Sequence, residues 1–134
     1  MAPMPPTDYR VRAEVDSTGL GRLREAAWGE PDDGNGWPAV LARSLTWVTA
    51  HEGERLVGFV NVAWDGGVHA FLLDTTVHPE VGRRGIGTRL VRTAADAARA
   101  GGAHWLHVDF EPHLTAFYAG CGFRPTAAGL LRLR

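Results

Sequence analysis

The stretch Val77-His78-Pro79-Glu80-Val81-Gly82-Arg83-Arg84-Gly85-Ile86-Gly87-Thr88 decides how this chain is read. An apolar run, Ala70-Phe71-Leu72-Leu73, precedes it, and a helix-patterned segment, Arg89 to Ala100, follows. The order is therefore strand, glycine-rich turn, helix. The first amides of a helix lack intrahelical acceptors and carry partial positive charge, which suits a bound phosphate. Glycines at 82, 85 and 87 allow close backbone approach and positive φ. Arg83, Arg84, Arg89 and Arg92 add cations with no acid among them. The turn is suited to a polyphosphate.

Two common polyphosphate motifs are missing. A P-loop needs Gly-Lys-Ser/Thr at the helix start, whereas Gly87 is followed by Thr88 and Arg89. A dinucleotide fingerprint needs G-x-G-x-x-G, and the glycines here do not keep that spacing.

Composition narrows the class. The chain of 134 residues is 45% hydrophobic and 22% charged, which fits one globular domain over 1–134 with a real core. A net charge of −1 argues against nucleic acid or an anionic membrane surface as main partner. All 14 cationic side chains are Arg, more a mark of coding bias than of chemistry. A lone Cys121 excludes an internal disulfide and fits a reducing compartment. No apolar run is long enough to span a membrane, and Met1 to Pro6 lacks a signal-peptide layout. The expected location is cytoplasmic.

Tyr9 to Glu14 reads as a short strand, and Asp16-Ser17 caps a helix ending at Trp28. Gly29 to Gly36 is turn chemistry and is expected to be a mobile loop. A short helix restarts at Trp37-Pro38. Thr46 to His51, Arg55 to Trp64 and Val68 to Val77 form an antiparallel meander. Ile86, Leu90, Val91, Ala94 and Ala98 line one face of the next helix. Trp105 to Glu111 is a strand parallel to its predecessor, because a helical crossover joins them. A helix starting at Pro112 follows, then closing strands at Phe123 to Thr126 and Leu130 to Leu133. The expected fold class is α+β: a mixed, mostly antiparallel sheet of about six or seven strands with about four helices.

The central stretch resembles the acyl-CoA-binding motif of the GNAT superfamily of N-acetyltransferases, a Val-x-Pro and then Gln/Arg-x-x-Gly-x-Gly/Ala. Val77, Pro79, Gly85, Ile86 and Gly87 fall on that pattern, while the usual Gln or Arg is Gly82. A second motif, Ala116-Phe117-Tyr118 with Gly122-Phe123, is similar to the family's Phe/Leu-Tyr-x-x-x-Gly-Phe. The order of elements follows the family layout along nearly the whole chain.

The resemblance implies acetyl-CoA as acetyl donor and an amine as acceptor. Gly82, Arg83, Arg84, Gly85, Ile86, Gly87 and Thr88 would hold the pyrophosphate. The backbone of Thr75, Thr76 and Val77 would pair with the pantetheine arm, beside an edge left open where the fourth and fifth strands diverge. Tyr118 falls on the position that assists the departing thiolate. A phenol near 10 is a weaker acid than a thiol near 8.5, so full proton transfer is uphill by roughly 2 kcal/mol. A hydrogen bond to the developing thiolate suits it better.

An alkyl ammonium near 10.4 must lose a proton before it attacks. Asp74 is the candidate base or amine-binding group, read on the face of Leu72 and Thr76 in an apolar strand. His107, Asp109 and Glu111 alternate with apolar residues and share one strand face; they could bind substrate, act through water or ligate a metal. Nothing else completes a ligand set, so no metal is expected, and Glu111 is kept as the third candidate catalytic residue. Cys121 shares an apolar helix face with Leu114 and Phe117 and reads as core. Trp28, Trp37, Trp47 and Trp64 are either core or an aromatic wall for the acceptor. A non-catalytic acyl-CoA-binding module and an ATP-binding regulatory domain are the competing readings. The acceptor stays open among small amines, aminoglycosides, amino acids and peptide amines, and a homodimer is possible.

Overall fold

The computed structural model describes residues 5–134, so most of the Pro-rich start read at Met1 to Pro6 lies outside the described residues. Alternating apolar residues form the meander: β2 (Thr46–Glu52), β3 (Arg55–Trp64) and β4 (His69–Val77). β1 (Thr7–Val11) joins antiparallel to β2, slightly earlier in the chain than its pattern suggested. β5 (Trp105–His107) adds to β4 in parallel after the crossover helix α3 (Ile86–Ala100). The sheet order is β1-β2-β3-β4-β5.

The two faces bury separate cores. Ile86, Leu90, Val91, Ala94 and Ala98 of α3 pack on Val48, Val60, Val62, Ala70 and Leu72. On the other face, Leu20 and Leu23 of α1 (Ser17–Trp28) and Trp37 and Leu41 of α2 (Trp37–Arg43) pack on Phe59. Gly58 sets the approach of α3: a Cβ there would lie 2.9 Å from Leu90 Cδ1 and 3.1 Å from Ala50 Cβ. The last helix is α4 (Thr115–Gly120). No helix among the described residues is long and apolar enough to cross a membrane.

Four expectations need correction. Among the described residues the sheet has 5 strands rather than six or seven. The closing strands expected at Phe123 to Thr126 and Leu130 to Leu133 do not form. β5 spans 3 residues, not Trp105 to Glu111, so its outer edge offers few ladder bonds, and Pro125 cannot donate one. The segment from Gly29 to Gly36 is pinned rather than loose. Asp32 N–H donates to Glu25 Oε1 at 2.7 Å, Gly34 N–H to Asp32 Oδ1 at 2.8 Å and Trp37 Nε1 to Asp32 Oδ2 at 3.1 Å.

Candidate active site

A bulge in β4 builds the centre of the site. Phe59 pairs with Thr76 and Asn61 with Leu73, so two steps on β3 oppose three on β4. The extra residue falls at Asp74–Thr75, and Asp74 has φ 60, the left-handed region that a non-glycine residue seldom enters. Leu73 and Thr76 consequently share the α1 face. Strict alternation had put Asp74 with the buried Leu72; the bulge turns it to the α1 side. There its Oδ1 lies 3.5 Å from Arg24 Nη1. Thr76 Oγ1 donates to Asp74 O at 2.8 Å and accepts from Arg24 Nη1 at 3.2 Å and Trp28 Nε1 at 3.4 Å. Burial pushes the Asp74 carboxyl up, against the pull of Arg24.

β4 and β5 then part. Their ladder ends at Phe71–His107, and no described strand pairs with β4 on that side from Leu72 onward. A cleft of about 740 Å³ opens there, between Asp74 and Thr75 on one wall and Val108 to Glu111 on the other. Tyr118 of α4 reaches across it, donating from its hydroxyl to Thr75 Oγ1 at 3.4 Å. Phe110 stacks on the Tyr118 ring at 4.7 Å, and Phe117 and Phe123 meet it edge-on. Tyr118 is 6% exposed, and burial raises its phenol above the ordinary 10.0, against the Thr75 hydrogen bond.

The glycine-rich turn leads from β4 through one helical turn, Pro79–Val81, into α3. Of its three glycines only Gly85 is left-handed, at φ 77; Arg83 joins it at φ 63, whereas Gly82 has φ −59. The first helical bond runs from Arg89 N–H to Gly85 O at 3.1 Å. The amides of Ile86, Gly87 and Thr88 precede it and have no acceptor within the helix. Gly87 sits where a Cβ would press on the Phe117 ring at 3.3 Å.

The cations divide. Arg84 is held by Glu52 at 2.7 Å, Arg89 lies over the Tyr9 ring, and Arg92 donates to Gly120 O. Arg83 forms no ion pair among the described residues.

The cleft gathers Asp74, Thr75, Glu111 and Tyr118 but not the whole expected cast. His107 stays outside, bonded to His69 at 2.8 Å and stacked on Phe71. Only Trp28 of the four tryptophans lines the cleft; Trp37 is core against Phe59, and Trp47 donates to Ala13 O. Cys121 is half-buried against the core, and burial raises its thiol. Arg24 and Phe110 line the cleft and were missed. Arg24 left a signal: it follows Leu20 and Leu23 at helical spacing, a charge on an apolar stripe.

The model of the acetyltransferase (GNAT) family matches residues 12–123. The chain is 39% identical over 84 residues to mycothiol acetyltransferase of Nocardia farcinica, a match covering 63% of this chain and 27% of that protein. Over 50 residues it is 40% identical to glucosamine 6-phosphate N-acetyltransferase 1 of Oryza sativa, covering 37% of this chain and 30% of that one. Matches to these relatives thus span about a third of their length or less. The solved structure of a GNAT-family acetyltransferase from Streptococcus pneumoniae superposes with TM-score 0.80 at 22% identity, over 96% of this chain and 98% of that one. The family model spans most of the chain, from before the first helix to the end of the last, and this chain belongs to the acetyltransferase (GNAT) family.

Proposed function

We propose that this chain moves an acetyl group from acetyl-CoA to a primary amine by direct transfer in a ternary complex. The observation that carries this reading is Tyr118 Oη, 3.4 Å from Thr75 Oγ1 where β4 leaves β5. It puts a hydroxyl donor beside an open strand edge. The backbone of Thr75, Thr76 and Val77 pairs with the pantetheine arm along that edge. The amides of Ile86, Gly87 and Thr88, with Gly82, Arg83, Arg84 and Gly85 around them, take the pyrophosphate. Arg83 supplies the free cation, and Arg84 braces the turn through Glu52.

The amine enters from the cleft. Asp74 accepts its proton, since a desolvated carboxylate is a stronger base than an exposed one. Glu111 binds the ammonium or relays the proton through water. Tyr118 steadies the departing sulfur by a hydrogen bond, because its raised phenol is a poor acid.

Calorimetric titration with acetyl-CoA, CoA and ATP, followed by thiol-release assays on an amine panel, tests the reading. Binding of both CoA species with ATP silent, and thiol release with an amine, is the expected result. Binding without turnover on any amine would favour a non-catalytic acyl-CoA module, and failure of both CoA species to bind would remove the donor site.

A further inference from the structure

Resting on the acetyltransferase reading, we infer that the acceptor is a small polycationic amine, one carrying at least two cationic groups besides the amine that reacts. The cleft beside Tyr118 is lined by four carboxylates, Glu30, Asp74, Asp109 and Glu111, and by one cation, Arg24. Arg24 is already spent: it faces Asp74 at 3.5 Å and Thr76 Oγ1 at 3.2 Å, and lies over the rings of Trp28 and Trp37. Glu30, Asp109 and Glu111 form no ion pair among the described residues. Three uncompensated carboxylates therefore face one cavity in a chain whose net charge is only −1.

Like charges gathered around one cleft repel, and a multivalent cation relieves that repulsion more than a monovalent one can. The aromatic lining points the same way. Trp28 is 57% exposed and Phe110 36%, so two ring faces stand beside the carboxylates, where alkylammonium groups are held by both. Cation recognition of this kind rejects phosphorylated acceptors, because a phosphate among unpaired carboxylates has no partner. The cleft thus runs against the acceptor named for the rice relative, glucosamine 6-phosphate. A cavity of about 740 Å³ fits a small molecule, and the stretch from Thr126 to Leu130 closes one side of it.

The test compares spermidine, n-butylamine and glucosamine 6-phosphate as acceptors, with spermidine binding followed separately by calorimetry. Spermidine should show kcat/KM roughly tenfold or more above n-butylamine, through KM, and that advantage should shrink as salt rises. Glu30→Gln and Asp109→Asn should each raise the spermidine KM about threefold to tenfold and leave acetyl-CoA affinity as in the parent. Equal kcat/KM for spermidine and n-butylamine, or preference for glucosamine 6-phosphate, would overturn the inference. So would acetyl-CoA binding with no calorimetric response to spermidine, an outcome that leaves the acetyltransferase reading standing. Loss of acetyl-CoA binding itself would instead bring down that reading and this inference together.

Discussion

In the proposed transfer, Tyr118 and Asp74 are suited by their surroundings to opposite tasks. The Tyr118 phenol, raised by burial, holds its proton and offers it as a hydrogen bond. Tyr118→Phe keeps the ring packing with Phe110 and Phe123 and deletes only the donor. Turnover should fall on the order of 100-fold with acetyl-CoA affinity unchanged; an unaltered kcat would end its role in the transfer. Asp74 titrates above the ordinary 3.8 because burial outweighs Arg24. A base must be ionised, so kcat/KM should climb as pH rises through that raised value, and Asp74→Asn should flatten this limb and lose about 100-fold or more. The stability sign is the reverse. The folded chain binds this proton more tightly than the unfolded one, so ionising Asp74 costs stability. That cost is absent below the unfolded value near 3.8 and complete once pH passes the raised folded value. A profile of kcat/KM that stays the same in the Asn variant would move the base to Glu111.

At the level of elements, the turn and the meander were legible because their signals are local. Val77 to Thr88 carries its own stop, glycine and helix start, and Gly85 does occupy the left-handed position. Gly85→Val would force a β-branched side chain into φ 77, so the turn must shift away from the geometry proposed to hold the pyrophosphate. Acetyl-CoA affinity should drop about tenfold, and calorimetry showing the parent affinity would detach this turn from the donor. The cleft was less legible, because its parts are joined by events that periodicity cannot register. An extra residue in β4 moved Asp74 to the opposite side, and β5 stopped at His107 although the alternating pattern ran on to Glu111. Arg24 meets Thr76 across 52 positions of sequence, a pairing made only by the packing of α1 on the sheet. Gly58 marks where such packing is tightest. Gly58→Val would drive side-chain atoms into Leu90, Ala50 and Ile86, and denaturant unfolding should show a loss of about 1–3 kcal/mol. A variant as stable as the parent would mean that α3 can slide away from the sheet.

On the scale of the whole molecule, the proposed transfer would divide the charge between its two substrates. The turn presents Arg83 and the free helix amides to an anion, while the cleft presents carboxylates to a cation, and the near-zero net charge conceals both. The chain after Phe123 belongs to the second half of this division and not to the core. Leu130, Leu131 and Leu133 are 90%, 83% and 85% exposed, so they add almost nothing to apolar burial. Thr126, Ala128, Gly129 and Leu130 nevertheless line the cleft. Ending the chain after Thr126 should therefore move Tm by less than about 4 °C, the shift that corresponds to 1 kcal/mol in a domain of this size. Acetyl-CoA affinity should hold, since the turn and the open edge of β4 lie outside the deleted segment. The acceptor KM should rise several-fold, because the deleted residues form one wall of the cleft and their loss leaves the acceptor less enclosed beside the carboxylates. A large fall in Tm would show that the final residues pack on the sheet after all. An unchanged KM would show that the acceptor is held by the rest of the lining, Trp28, Glu30, Asp74, Asp109, Phe110 and Glu111, without the final segment.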